Sequence, residues 1–273
     1  MSKATSFKIA QMSDLHFGDP RFDHGLMDAA TGEINQWEPD LLIVAGDLTA
    51  AGYREQFEDA HRHLGNLDCE QRIVIAGNHD CQNVGNLFFE ELFGARYADS
   101  EYDCPLADTE KVTVVAVDSN KPDLADGEIG RDNYRFIHKG FSDPSSFNVF
   151  ILHHHLVTVP GTGRERNIVW DAGDVLQELV SAKVDLVLSG HKHVPYVWRL
   201  DGMYLVTSGT VSTHRTRGPC APAYNMVEIF ESEIVVSVRT PGVSESEEVR
   251  LPRGPTVPMF AERHSHPGKG GDA

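Results

Sequence analysis

Five apolar runs in this chain each stop at a cluster of residues able to bind a metal ion. FKIAQM leads into Ser13-Asp14-Leu15-His16, DLLIVA into Gly46-Asp47, and RIVIA into Gly77-Asn78-His79-Asp80. NVFIL then leads into His153-His154-His155, and DLVLS into Gly190-His191-Lys192-His193. Short runs rich in Ile, Val and Leu predict buried strands. Between them the apolar spacing predicts helices over about 22–37, 54–64, 86–93, 131–139 and 174–183. KVTVVAVDS is a further strand ending in Asp118-Ser119-Asn120, and the stretch around 98–109 reads as a polar linker. Past Gly190-His191-Lys192-His193 the pattern turns antiparallel. Asp201-Gly202 predicts a hairpin, and strands follow at about 223–230 and 233–239. In open α/β sheets ligands bind outside the carboxyl ends of the strands, so this order gathers all five clusters at one edge.

The clusters offer carboxylate, imidazole and one amide, and no thiolate. That mixture disfavours soft-metal sites and all-oxygen Mg²⁺ or Ca²⁺ cages, and suits Mn, Fe, Zn or Co. The candidate ligands are Asp14, His16, Asp47, Asn78, His153, His191 and His193. They are too many for one tetrahedral ion and fit two divalent or mixed-valence ions if Asp47 bridges. Two ions about 3.5–4 Å apart can clamp the attacking and leaving oxygens of a displacement at phosphorus, and acidify a bound water. Each fragment alone also reads as an ordinary turn. Five such turns in this order would have to coincide.

The order D-x-H, GD, GNHD, H, GHxH resembles the calcineurin-like metallophosphoesterase family, over about residues 7–230. The resemblance implies an α/β fold, a four-layer αββα sandwich of two mixed sheets flanked by helices. It implies one metal site of Asp14, His16, Asp47 and His193 and a second of Asp47, Asn78, His153 and His191. His79 then lies beside the substrate phosphate, to stabilise charge or protonate the leaving oxygen, and Asp80 orients it or caps a helix. His153 matches the family's ligand, with His155 of the same side-chain parity as the alternative. His154 faces away or contacts substrate. The DS strand end, the glycine-bearing loop Asp126–Gly130 and the helix after it resemble, loosely, the class III cyclic-nucleotide phosphodiesterases.

Composition narrows the partners. A net charge of −17 repels polyanions and argues against a nucleic-acid polymer, favouring a small phosphoester. No apolar run has transmembrane length, no signal segment is evident, and the four cysteines show no paired spacing. A reduced, cytoplasmic setting is expected, with a homo-oligomer left open. His61 and His63 read as solvated, and Cys81 as a packing residue. The basic loop 160–167, with Arg164 and Arg166, and the segment of His214, Arg215 and Arg217 are the candidates for substrate contact. One domain is expected over residues 1–251, followed by a Pro- and Gly-rich flexible tail, 252–273.

The expected activity is a metal-dependent phosphodiesterase on a small substrate such as a cyclic nucleotide, metal-bound hydroxide attacking phosphorus in line. The alternatives are a phosphomonoesterase or protein phosphatase, a nuclease, and a non-catalytic scaffold. The last would be expected to lack ligands or His79, and all are present.

Overall fold

Strands β1 (Phe7–Met12), β2 (Leu41–Ala45) and β3 (Arg72–Ile75) are parallel neighbours in one sheet. β2 is apolar at every position because it is covered on both faces. Ile9, Leu41, Ile43 and Ala45 point into the core between two sheets, while Ala10, Met12, Leu42 and Val44 point outward under helices. The helices are α1 (His24–Trp37), α2 (Arg54–Leu64) and α3 (Gly85–Phe93). The structure is a computed structural model that describes residues 5–163, 167–217 and 219–254.

The second sheet is built the same way. β5 (Thr109–Ala116), β6 (Phe147–Ile151) and β7 (Leu186–Ser189) run parallel. Val114, Val149 and Leu188 face the first sheet, and Val115, Phe150 and Val187 face α4 (Tyr134–Gly140) and α5 (Ala172–Ser181). The result is the expected αββα sandwich. β8 (Tyr196–Leu200) and β9 (Met203–Thr207) form the hairpin predicted at Asp201-Gly202. β9 nevertheless pairs parallel with β7, so the sheet does not turn wholly antiparallel there.

Two edge strands escape the hydrophobic pattern. The expected polar linker at 98–109 is largely β4 (Ala98–Leu106), antiparallel to β5. Its outward Asp99, Glu101 and Asp103 are exposed, whereas Ala98, Tyr102 and Cys104 pack on the inter-sheet core. β10 (Tyr224–Ile229) and β11 (Glu233–Arg239) match expectation, but β12 (Ser246–Pro252) was not foreseen. Charged edge strands are how sheets avoid pairing with other chains, and that charge is what makes them read as loops. The sheet orders are β12-β11-β10-β1-β2-β3 and β4-β5-β6-β7-β9-β8.

Pro252 and Arg253, assigned by composition to the tail, belong to the packed structure. Pro252 ends β12 and accepts a bond from Tyr204 Oη at 2.9 Å. Arg253 donates to Phe230 O and Thr109 Oγ1, and lies over the Phe147 ring, joining the sheets at their lower end. The rest of the expected tail lies outside the described residues.

At that end Asp185 accepts the Asn148 N–H at 2.8 Å and lines a cavity of about 300 Å³. Burial pushes its carboxyl up to about 6. Its folded-state pKa lies above the unfolded value, so stability falls as pH rises from about 4 through about 6. Asp185→Asn should therefore raise the unfolding temperature at pH 8, by the equivalent of at most about 3 kcal/mol. Calorimetry across pH 4–8 should show the gain disappearing at the acid end.

Candidate metal centre

The carboxyl ends of β1, β2 and β3 meet those of β6 and β7, so the candidate site straddles both sheets instead of lying on the edge of one. Backbone pairing continues past β1 and β2 to fix the turns: Asp14 N donates to Gly46 O, and His16 N to Asp47 O. Asp14, His16, Asp47, His191 and His193 all adopt left-handed backbone, with φ between 53° and 72°. Each such residue costs roughly 1–2 kcal/mol outside glycine, so the surrounding structure holds these turns against local preference. The gain is direction: a strand that would carry its side chains past the edge turns them inward.

Glycines make room for this. A Cβ on Gly77 would sit 2.1 Å from Asp47 Oδ1, and one on Gly190 would sit 1.8 Å from Ser13 Oγ. The Gly in GN and GH therefore serves close approach, since its neighbour carries the ligand atom.

The acceptors fall into two groups on either side of Asp47, with His79 also within reach of His16 and Asp47. In the first, Asp14, His16 and His193 converge, with His193 Nε2 at 3.2 Å from Asp14 Oδ1 and 3.0 Å from His16 Nε2. His16 Nε2 is 3.9 Å from Asp47 Oδ2. In the second, Asn78 Oδ1 lies 3.2 Å from His153 Nε2 and 2.9 Å from His191 Nδ1. His153 Nε2 is 3.4 Å from Asp47 Oδ1. The Asp47 oxygens thus divide between the groups.

Second contacts set the imidazole tautomers. His153 Nδ1–H donates to Ala45 O at 2.7 Å and His193 Nδ1–H donates to Arg215 O, leaving each Nε2 lone pair aimed at the cluster. Burial drives His16 down to about 3, and His191 is likewise lowered well below the usual histidine range. Burial also disfavours charge on Asp14 and Asp47, yet His193 and His153 respectively hold both below the usual carboxylate range. Burial opposes a proton on His153, but Asp47 outweighs it and raises the group to about 9. Asp14 Oδ1 and His191 Nε2 are buried without hydrogen-bond partners. Acceptors packed this closely repel unless protons or cations lie among them. The donor set and the orphaned Asp14 Oδ1 fit divalent cations.

The remaining candidates separate clearly. His153, not His155, joins the cluster. His154 faces away: its Nδ1 meets Ser119 Oγ at 2.8 Å and its Nε2 meets Ala125 O at 3.2 Å. His79 lines the cleft, with its Nδ1 on Ala50 O at 2.6 Å. Asp80 neither orients His79 nor caps a helix, contrary to expectation. Its oxygens accept Leu48 N, Thr49 N, Thr49 Oγ1 and Gly77 N, tying together the two turns after β2 and β3 that carry candidate ligands. Burial, then the charge of Asp47, push it up to about 6.

Asp118, Ser119 and Asn120 do not line the cleft. Asp118 pairs with Arg96, and Asn120 Nδ2 donates to Ala76 O at 2.8 Å, bracing the turn before Gly77. His63 is not simply solvated: it packs on Phe17, ring centroids 4.8 Å apart. Cys81 is buried, as a packing residue should be. His214 pairs with Asp23 at 3.1 Å and stays outside the cleft. Arg164 and Arg166 lie outside the described residues.

The open cleft above the cluster holds about 320 Å³. Asp47, Asn78, His79, His191 and His193 form its floor. Arg215, Thr216 and Arg217 form one wall, and Ala125 and Asn167 contribute another. Asn167 closes the loop 160–167 expected to contact substrate, whereas Ala125 carries no motif and was missed; its one signal was position, in the loop following β5.

The glycine geometry is directly testable. Gly77→Ala should lower metal content and any metal-dependent activity by about two orders of magnitude, an effect expected when the groups supporting metal ligands are lost. Metal analysis of the purified variant, beside a thermal melt to confirm folding, measures it.

Known proteins bear on this arrangement. The sequence model of the calcineurin-like phosphoesterase family matches residues 7–195, a span that contains all five ligand-bearing strand ends. A probable cyclic nucleotide phosphodiesterase of Synechococcus sp. is 29% identical over 202 residues, covering 71% of this chain and 76% of the relative. Another of the same description, from Xenorhabdus bovienii, is 27% identical over 219 residues, covering 75% and 86%. The purple acid phosphatase PPD1 from yellow lupin (Lupinus luteus) seeds has a similar fold, with a TM-score of 0.70 at 15% identity, covering 92% of this chain and 54% of that one. No helix among the described residues is long and apolar enough to cross a membrane. On the family match and the geometry together, this chain belongs to the calcineurin-like phosphoesterases.

Proposed function

We propose that the protein is a dinuclear metal-dependent phosphodiesterase acting on small phosphoesters, cyclic nucleotides among them. The observation that carries this reading is the pair of buried acceptor groups sharing Asp47 on the floor of an open cleft. Asp14, His16, Asp47 and His193 would hold one ion, and Asp47, Asn78, His153 and His191 the other. Such ions supply Lewis acidity to phosphoryl oxygens and make a water acidic enough to ionise near neutral pH. The preference for diesters draws on the two bacterial relatives named as probable cyclic nucleotide phosphodiesterases. A cleft of about 320 Å³ suits a nucleotide-sized substrate better than a polymer.

The chain's own residues then divide the work. Ala50 O fixes the Nδ1–H of His79, which leaves Nε2 as the atom able to meet a phosphoryl or leaving-group oxygen. His79 N donates to Asp47 Oδ1 at 2.8 Å, so the same residue steadies the shared carboxylate. Asp80 keeps the two turns in register. The four free cysteines suit a reducing compartment, which supports a cytoplasmic setting.

With Mn²⁺ bound, the protein should hydrolyse bis(4-nitrophenyl) phosphate at least about tenfold faster than 4-nitrophenyl phosphate, the reverse order pointing to a monoesterase. Absence of turnover of both with Mn²⁺, Fe²⁺, Co²⁺ and Zn²⁺ alike would overturn the enzymatic reading. His79→Ala should keep both ions by metal analysis and lose about 10²–10⁴ in kcat. Loss of an ion in that variant would place His79 among the ligands.

A further inference from the structure

The wall of the cleft formed by Arg215 and Arg217 is anchored from outside the metal centre. Asp19 follows His16 by three residues, and its N–H donates to His16 O at 2.9 Å. Its carboxylate, only 6% exposed, accepts Arg21 N at 2.8 Å, Arg21 Nε at 3.1 Å and Arg21 Nη2 at 3.2 Å. Arg215 Nη1 lies 3.7 Å from Asp19 Oδ2, beyond hydrogen-bond range. Asp19 thus accepts three hydrogen bonds from Arg21 and none from Arg215, which it holds by charge. The Arg215 fork keeps its donors for another anion.

The segment carrying these arginines is rigidly placed. Thr210 Oγ1 donates to Asp14 O at 2.6 Å, Ser212 Oγ to Leu15 O at 2.7 Å, and Arg215 N to Thr213 Oγ1 at 3.1 Å. The Arg215 carbonyl takes the Nδ1–H of His193, so that ring stands between the Arg215 backbone and the cluster. The Arg215 side chain, 39% exposed, lines the same cleft as the cluster but lies outside its ligand set, free to meet a second group of a substrate. Arg217, exposed, adds a second cation to the same wall. Two guanidiniums, those of Arg21 and Arg215, lie against the Asp19 carboxylate, and Arg217 lines the same cleft as Arg215, on a chain whose net charge is −17. A locally positive rim on an acidic protein captures anions at that point only.

We propose that Arg215 and Arg217, with Asp19 as anchor, form a second anion subsite that selects small phosphodiesters carrying a further phosphate away from the scissile bond. This rests on the phosphodiesterase reading and deepens it by naming the substrate class. Asp19 and Arg21 are positioning residues in this scheme, and Arg215 and Arg217 read the distal phosphate.

The test is equilibrium binding to the Mn²⁺-loaded full chain, by titration calorimetry with thymidine 5′-monophosphate and thymidine 3′,5′-bisphosphate. The bisphosphate should bind about tenfold tighter or more at low salt, an advantage that shrinks as salt rises. In Arg215→Ala/Arg217→Ala the ratio should fall below about twofold, with metal content matching the parent protein. The exposed single variant Arg217→Ala, which should fold normally, should lose part of the advantage. Equal affinities in the parent, or an unchanged ratio in the variants, would overturn the subsite. Turnover of thymidine 5′-(4-nitrophenyl phosphate) with and without a 3′-phosphate separates the two readings. Hydrolysis of neither counts against the phosphodiesterase, whereas equal kcat/KM for both counts against the subsite alone.

Discussion

The crowding of lone pairs around Asp47 is the constraint on which the rest of the structure depends. Six other side chains bring acceptor atoms to two points beside its carboxylate, all of them buried. Few native donors face them: His79 N donates to Asp47 Oδ1 and His191 N to Asp14 Oδ2. Left to itself such a cluster would repel, take up protons or open to solvent. The fold opposes each outcome, which makes the site costly to assemble and suited to divalent cations.

The restraint is built from polar contacts one layer out. Asp80 uses both oxygens to tie the β2 turn to the β3 turn. Asn120 braces Ala76 from the other sheet, and Asp118 with Arg96 holds Asn120 in turn. His154 pins the loop of Ser119 and Ala125 against the strand end that carries His153. Arg215 fixes the His193 tautomer from the cleft wall. Each contact is local and modest in energy, roughly 1–3 kcal/mol where a charged group takes part. Together they hold five left-handed ligand residues in place, where local preference would release them.

Legibility followed burial. Ile43, Val114, Val149 and Leu188 announced themselves because two-sided burial demands apolar residues at every position, and the ligands stood out against those runs. β4 and β12 did not, because edge strands carry charge: β4 packs on one face only, and β12 is exposed at every position but Leu251. Asp80 was located correctly and given the wrong partners, since sequence adjacency to His79 suggested a contact that the chain's turn directs elsewhere. Asp118-Ser119-Asn120 end a strand near the site and brace it without lining the cleft. His214 looked equivalent to Arg215 in sequence, yet it pairs outward with Asp23 while Arg215 lines the cleft.

By itself the sequence determined the strand ends, the candidate ligand residues gathered at them and the class of chemistry. Those depend on local patterns: two-sided burial, side-chain type and glycines that permit close approach. Only the tertiary structure decided that the site spans both sheets, and that His153 and not His155 reaches it. It also decided that Asp47 directs one oxygen to each group and that Asp19 stands behind Arg215. These are relations between segments as much as 196 residues apart, Asp19 to Arg215 among them, and no local pattern encodes the distance between two chains of backbone that meet only after the sheets pack.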